Sequence, residues 1–93
     1  MNTQQKIIAE LKNHFKVLPI KPYEVIVKFD KPEDTVDTKM WIAYQENHKD
    51  SKEGYCIAFE PLLSEWHVLE YFNGEYRHVV LGGKNFTDAW KAM

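Results

Sequence analysis

The stretch Ser64 to Leu81, SEWHVLEYFNGEYRHVVL, decides the fold, because two runs of strand-favouring residues meet there at Asn73-Gly74. Asn-Gly accepts positive φ at both central positions of a type I′ turn, whose twist matches that of paired strands. The pattern predicts a tight hairpin in which Phe72 faces Glu75, Tyr71 faces Tyr76, Glu70 faces Arg77, Leu69 faces His78, Val68 faces Val79 and His67 faces Val80. The Tyr-Tyr and Glu-Arg pairs each favour this register by about 0.2–1 kcal/mol. Alternation places Trp66, Val68, Glu70 and Phe72 on one side, with His67, Leu69, Tyr71, Tyr76 and His78 on the other.

Working outward, YEVIVKFD (23–30) alternates as a strand, with Val25, Val27 and Phe29 on one side. TKMWIAYQE (38–46) and YCIAFE (55–60) supply two more strands, separated from their neighbours by the polar loops KPEDTVD (31–37) and NHKDSKEG (47–54). Ile7, Ile8, Leu11 and Phe15 recur at helical spacing and predict an amphipathic helix from Thr3 to about Lys16, with Asn2 and Gln5 at the offset of a capping box. GGKNFTDAWKAM ends the chain as a short helix capped by Asn85 or Thr87 and presenting Phe86, Ala89 and Trp90.

The order α-β-β-β-β-β-α with short links predicts a single α+β domain over residues 1–93. Its form is a five-stranded antiparallel meander sheet with both helices packed on one face. The bulky residues Val25, Val27, Phe29, Tyr55, Ile57 and Phe59, continued by Trp66, Val68 and Phe72, are expected beneath the helices. The side bearing His67, Tyr71, Tyr76 and His78 is then the less covered one.

Composition narrows the functional classes. Of the 93 residues 44% are hydrophobic, 28% charged and 14% aromatic, which is globular composition with an aromatic excess suited to strands and to contact surfaces. The net charge of −2 is uneven: residues 1–22 carry four Lys and one Glu, whereas Glu60, Glu65, Glu70 and Glu75 punctuate a stretch with no Lys or Arg until Arg77. That negative potential repels phosphate and favours a basic partner. Cys56 is the single cysteine, which excludes an intramolecular disulfide and fits a cytoplasmic protein. The N-terminal segment has no apolar run of signal-peptide length and predicts no membrane span.

The chemistry-bearing residues form no strong motif. His67 and His78 share a hairpin face and Cys56 lies on a neighbouring strand, but no CxxC or HxxxH spacing accompanies them, so no metal is expected. His14 and His48 read as solvent-facing. Gly82-Gly83-Lys84 before a helix lacks the rest of a phosphate loop, and its glycines are explained by the sharp strand-to-helix turn. Helix, antiparallel sheet and helix is the coarse order of double-stranded-RNA-binding domains. That family places a lysine cluster at the start of its last helix, whereas this chain has Lys84 followed by Asp88, five strands in place of three, and a negative sheet. No nucleophile, base and orienting acid fall together, so no enzyme and no cofactor are expected. The expectation is a small soluble protein-binding module, of inhibitor or adaptor type. It would use Tyr71, Tyr76, His67, His78, Glu70 and Glu75 against a partner with a basic surface, or against a second copy in a homodimer.

Overall fold

The structure, a computed structural model, describes residues 2–18, 20–30, 35–46 and 53–93. Helix α1 (Thr3–Lys12) opens on the expected capping box: Asn2 Oδ1 accepts the Gln5 N–H at 2.8 Å and Gln5 Oε1 accepts the Asn2 N–H at 3.1 Å. It stops at Lys12 with Asn13 as C-cap, short of Lys16. Asn is a poor helix former, and beyond it Phe15 packs its ring against Tyr44, Phe86 and Trp90.

Five strands follow: β1 (Tyr23–Asp30), β2 (Thr35–Gln45), β3 (Glu53–Glu60), β4 (Glu65–Phe72) and β5 (Glu75–Gly83), then α2 (Phe86–Ala92). The centres of both predicted loops, residues 31–34 and 47–52 with His48, lie outside the described residues. Asn73 (φ 48) and Gly74 (φ 84) both take positive φ, as a type I′ turn requires. The register runs as expected from Phe72↔Glu75 to Leu69↔His78. Beyond that a shift sets Val68 against Val80 and His67 against Leu81 in place of Val79 and Val80.

The open antiparallel meander is not what forms. Consecutive strands do pair antiparallel, but β1 also pairs with β5 in parallel through Val27↔Tyr76 and Lys28↔Arg77, closing a mixed five-stranded barrel. Bulges bend a strand and increase its twist. Here register shifts occur in β2 between Ile42 and Tyr44 and in the β4–β5 ladder. Closure removes the two edges an open sheet would expose.

Closure also reassigns the faces. The barrel interior holds Val27, Met40, Ile42, Cys56, Ala58 and Leu69, flanked by Val25, Phe29, Tyr71 and Tyr76. The helices lie outside, where Ile7, Leu11, Phe86 and Ala89 cover Ala43, Ile57, Trp66 and Val68. Val25, Val27 and Phe29 therefore do not share a face with Ile57 and Phe59, because β1 enters the ring one residue out of phase with the expected alignment. The face expected to be less covered is the one turned inward. A long-range bond ties the helices together, as Glu10 Oε1 accepts the Phe86 N–H at 2.8 Å.

Candidate functional site

The six residues expected to form one contact face are divided by the barrel wall. Tyr71 and Tyr76 sit half-buried at the end of the interior near the Asn-Gly turn, their ring centroids 5.0 Å apart. Tyr23 donates to Gln45 Oε1 at 2.9 Å and so accepts from the Tyr76 hydroxyl, also at 2.9 Å. Burial raises the pKa of both Tyr23 and Tyr76, and for Tyr76 the bond it donates raises it further. Glu70 and Glu75 are exposed on the outside. Glu75 lies between Lys28, at 3.4 Å, and Arg77, at 3.3 Å, two cations that the closing ladder sets side by side.

His67 and His78 meet deeper in the barrel, with His67 Nδ1 2.9 Å from His78 Nε2. Phe29 stacks on His78 with centroids 4.4 Å apart and meets His67 edge-on. Burial lowers the pKa of His67 against the opposing pull of Glu65 and Glu60, and burial followed by the His67 charge lowers that of His78. Cys56 also faces inward, and its thiol is pushed up to about 12 by burial, with the Glu46 charge adding. The rings bond each other, and among the described residues no cluster of three His, Cys, Asp or Glu is arranged to hold a metal ion.

At the end of the barrel opposite the Asn-Gly turn, the β3–β4 turn carries residues that sequence reasoning passed over. Leu62 is 89% and Leu63 66% exposed. Their backbone is fixed from below by Glu60, itself only 6% exposed, whose Oε1 accepts the Leu62 N–H at 2.8 Å and whose Oε2 accepts the Leu63 N–H at 2.7 Å. Ser64 completes the turn at φ 52. Since His67 pairs with Leu81, the end of β5 lies at the same mouth, and there Val79, Val80 and Leu81 are all exposed. The available signal was EPLLSE itself: turn positions favour Gly, Asn, Asp, Ser and Pro, and this turn has two leucines at its centre.

Behind the leucines lies a cavity of about 280 Å³, walled by Phe29, Met40, Leu62 and Leu63 and lined on its polar side by Thr38, Glu60, Glu65 and His67. Among the described residues His67 Nε2 is buried without a hydrogen-bond partner, and the nearest carboxylate oxygen, Glu65 Oε1, stands 3.8 Å away. Gly82, near the C-terminal end of β5, has a packing role: a Cβ there would lie 2.5 Å from Ala89 Cα in α2.

No protein-family model, no curated protein and no solved structure matches the chain. Among the described residues no helix is long and apolar enough to cross a membrane.

Proposed function

We propose that the protein is a small protein-binding module whose contact surface is the leucine turn together with the exposed end of β5. The observation that carries this reading is the presentation of Leu62 and Leu63. Two adjacent leucines stand in solvent on a turn whose amides are held by a buried carboxylate, so the backbone that presents the apolar side chains is held in one conformation. Pre-ordering of this kind lowers the entropy lost on association. Exposed apolar residues suit docking to another protein, and Val79, Val80 and Leu81 are exposed toward the same end of the barrel. Glu60 and Glu65 at the foot of the turn favour a partner whose apolar recess is rimmed by positive charge. The expected basic partner is retained on this reading, while the contact surface moves away from the tyrosines.

Replacement of both leucines by Ser removes the apolar surface without adding charge beside the buried Glu60. The Leu62→Ser, Leu63→Ser protein should keep its melting midpoint, since exposed substitutions stay within about 0.5 kcal/mol. It should bind the partner more weakly by about 2 kcal/mol or more. Capture from host extract with wild-type and variant protein side by side, followed by mass spectrometry, identifies partners that depend on the turn. Sedimentation of the wild-type protein alone separates a second copy of the chain from a foreign partner. A set of captured proteins that is the same for both variants would remove the basis of this reading.

A further inference from the structure

We propose that the cavity beneath the leucine turn binds a small uncharged molecule, an apolar body carrying one hydroxyl group, with the hydroxyl oxygen bridging His67 Nε2 and the Glu65 carboxylate. This goes beyond protein binding and does not depend on it.

Three observations fix the class of ligand. The first is size and lining: at about 280 Å³ the cavity is roughly twice the ~150 Å³ void that takes up benzene and sits at the lower end of ligand sites. Its apolar wall is Phe29, Met40 and the two leucines, so one ring with a short substituent matches it. The second is the orphan nitrogen. His67 is 6% exposed, and its Nε2 is a buried polar atom with no partner among the described residues, which is uncommon in a folded protein. The third is the spacing to Glu65. At 3.8 Å the two groups are too far apart to bond each other. An oxygen placed about 2.8 Å from each reaches both.

The proton inventory selects a hydroxyl. His67 Nδ1 and His78 Nε2 share one hydrogen bond at 2.9 Å, so one ring donates and the other accepts. The negative charges of Glu60 and Glu65 favour the tautomer in which His78 donates and His67 carries its proton on Nε2, facing them. The ligand atom then accepts from Nε2–H and donates to Glu65, and a hydroxyl does both. A ligand carboxylate can accept from Nε2–H but has no proton to donate to Glu65, and its charge would enter beside two glutamates.

The test uses three probes of one shape, 2-phenylethanol, ethylbenzene and phenylacetate, titrated into isotope-labelled protein. The imidazole nitrogens and the Leu62, Leu63 and Met40 methyl groups are followed by NMR. The alcohol should shift His67 Nε2 and those methyls saturably. Ethylbenzene should bind about tenfold more weakly for loss of the buried polar pairing, and phenylacetate should leave the spectrum unchanged. In His67→Phe the preference for alcohol over hydrocarbon should vanish. Should that variant not fold, Glu65→Gln serves: it keeps a bridging acceptor and should hold the alcohol while weakening exclusion of phenylacetate. The proposal is overturned if the alcohol gives no saturable shift, as expected of a cavity that only water fills. It is equally overturned if phenylacetate binds as well as the alcohol, or if the preference over ethylbenzene survives His67→Phe.

Discussion

His67 and His78 share a hydrogen bond, an aromatic neighbour and a common electrostatic position, since both imidazoles are held below their ordinary value of 6.5 by burial. In the unfolded chain they return to that value. Below it the unfolded state binds more protons than the folded state, so folding loses stability as the pH falls through 6.5 toward the lower folded values, and keeps it fully above. Thermal melts between about pH 8 and about pH 5 should show the midpoint falling on the acid side. The fall should be smaller in His67→Phe with His78→Phe, and an equal fall in that variant would assign the effect to other groups. His67 was legible as a residue of interest from its place on the hairpin, but its surroundings were not. Glu60 and Phe29 reach it from other strands, and their approach depends on inter-strand register, which a sequence pattern of period two leaves open by one residue.

At the scale of elements, the Asn-Gly hairpin, all five strands and both helices were readable, because each is specified by neighbours in sequence: turn residues, alternation and caps. What was not readable is where a strand carries an extra residue. The irregularity between Ile42 and Tyr44 puts both Ala43 and Tyr44 against the helix cluster, and nothing in TKMWIAYQE marks it. Two glycines bound the legible hairpin for different physical reasons. Gly74→Val has open space around it but forces a β-branched residue to φ 84, and should destabilise by more than about 1 kcal/mol. Gly82→Ala meets α2 backbone at 2.5 Å and should cost about 1–3 kcal/mol by pushing the helix outward. Denaturant midpoints measure both, and near-ultraviolet circular dichroism of Trp90 should change in Gly82→Ala alone. The tyrosine pair now carries the opposite expectation from an exposed contact. Tyr71→Ala with Tyr76→Ala removes interior rings and the Tyr76 bond to Tyr23, so the melt should report a loss of about 2 kcal/mol or more. A double variant as stable as wild type would place those rings outside the core.

For the whole molecule, closure was the hidden property. The sequence pattern prescribes pairings between consecutive strands, whereas a first strand meeting a last one depends on accumulated twist, which the bulges supply and no single motif encodes. Among the described residues the joint is narrow, two residue pairs wide, and it places Lys28 beside Arg77 with Glu75 as the intervening anion. In time, this joint has a character of its own. The four antiparallel ladders join segments close in the chain and can form early, but the joint must wait for two distant segments to find each other, at the entropic cost of a long loop. It should therefore be the last part of the ring to form and the first to let go. Amide protons of Val27, Lys28, Tyr76 and Arg77 should exchange with solvent well before those of β3 and β4, and Glu75→Lys should hasten their exchange while leaving β3 and β4 unaffected. If the joint instead proves as slow to exchange as the central strands, the barrel opens only when it unfolds. With a fast joint, the ring spends part of its life unclasped, and the interior tyrosines and histidines meet water on a clock faster than that of unfolding.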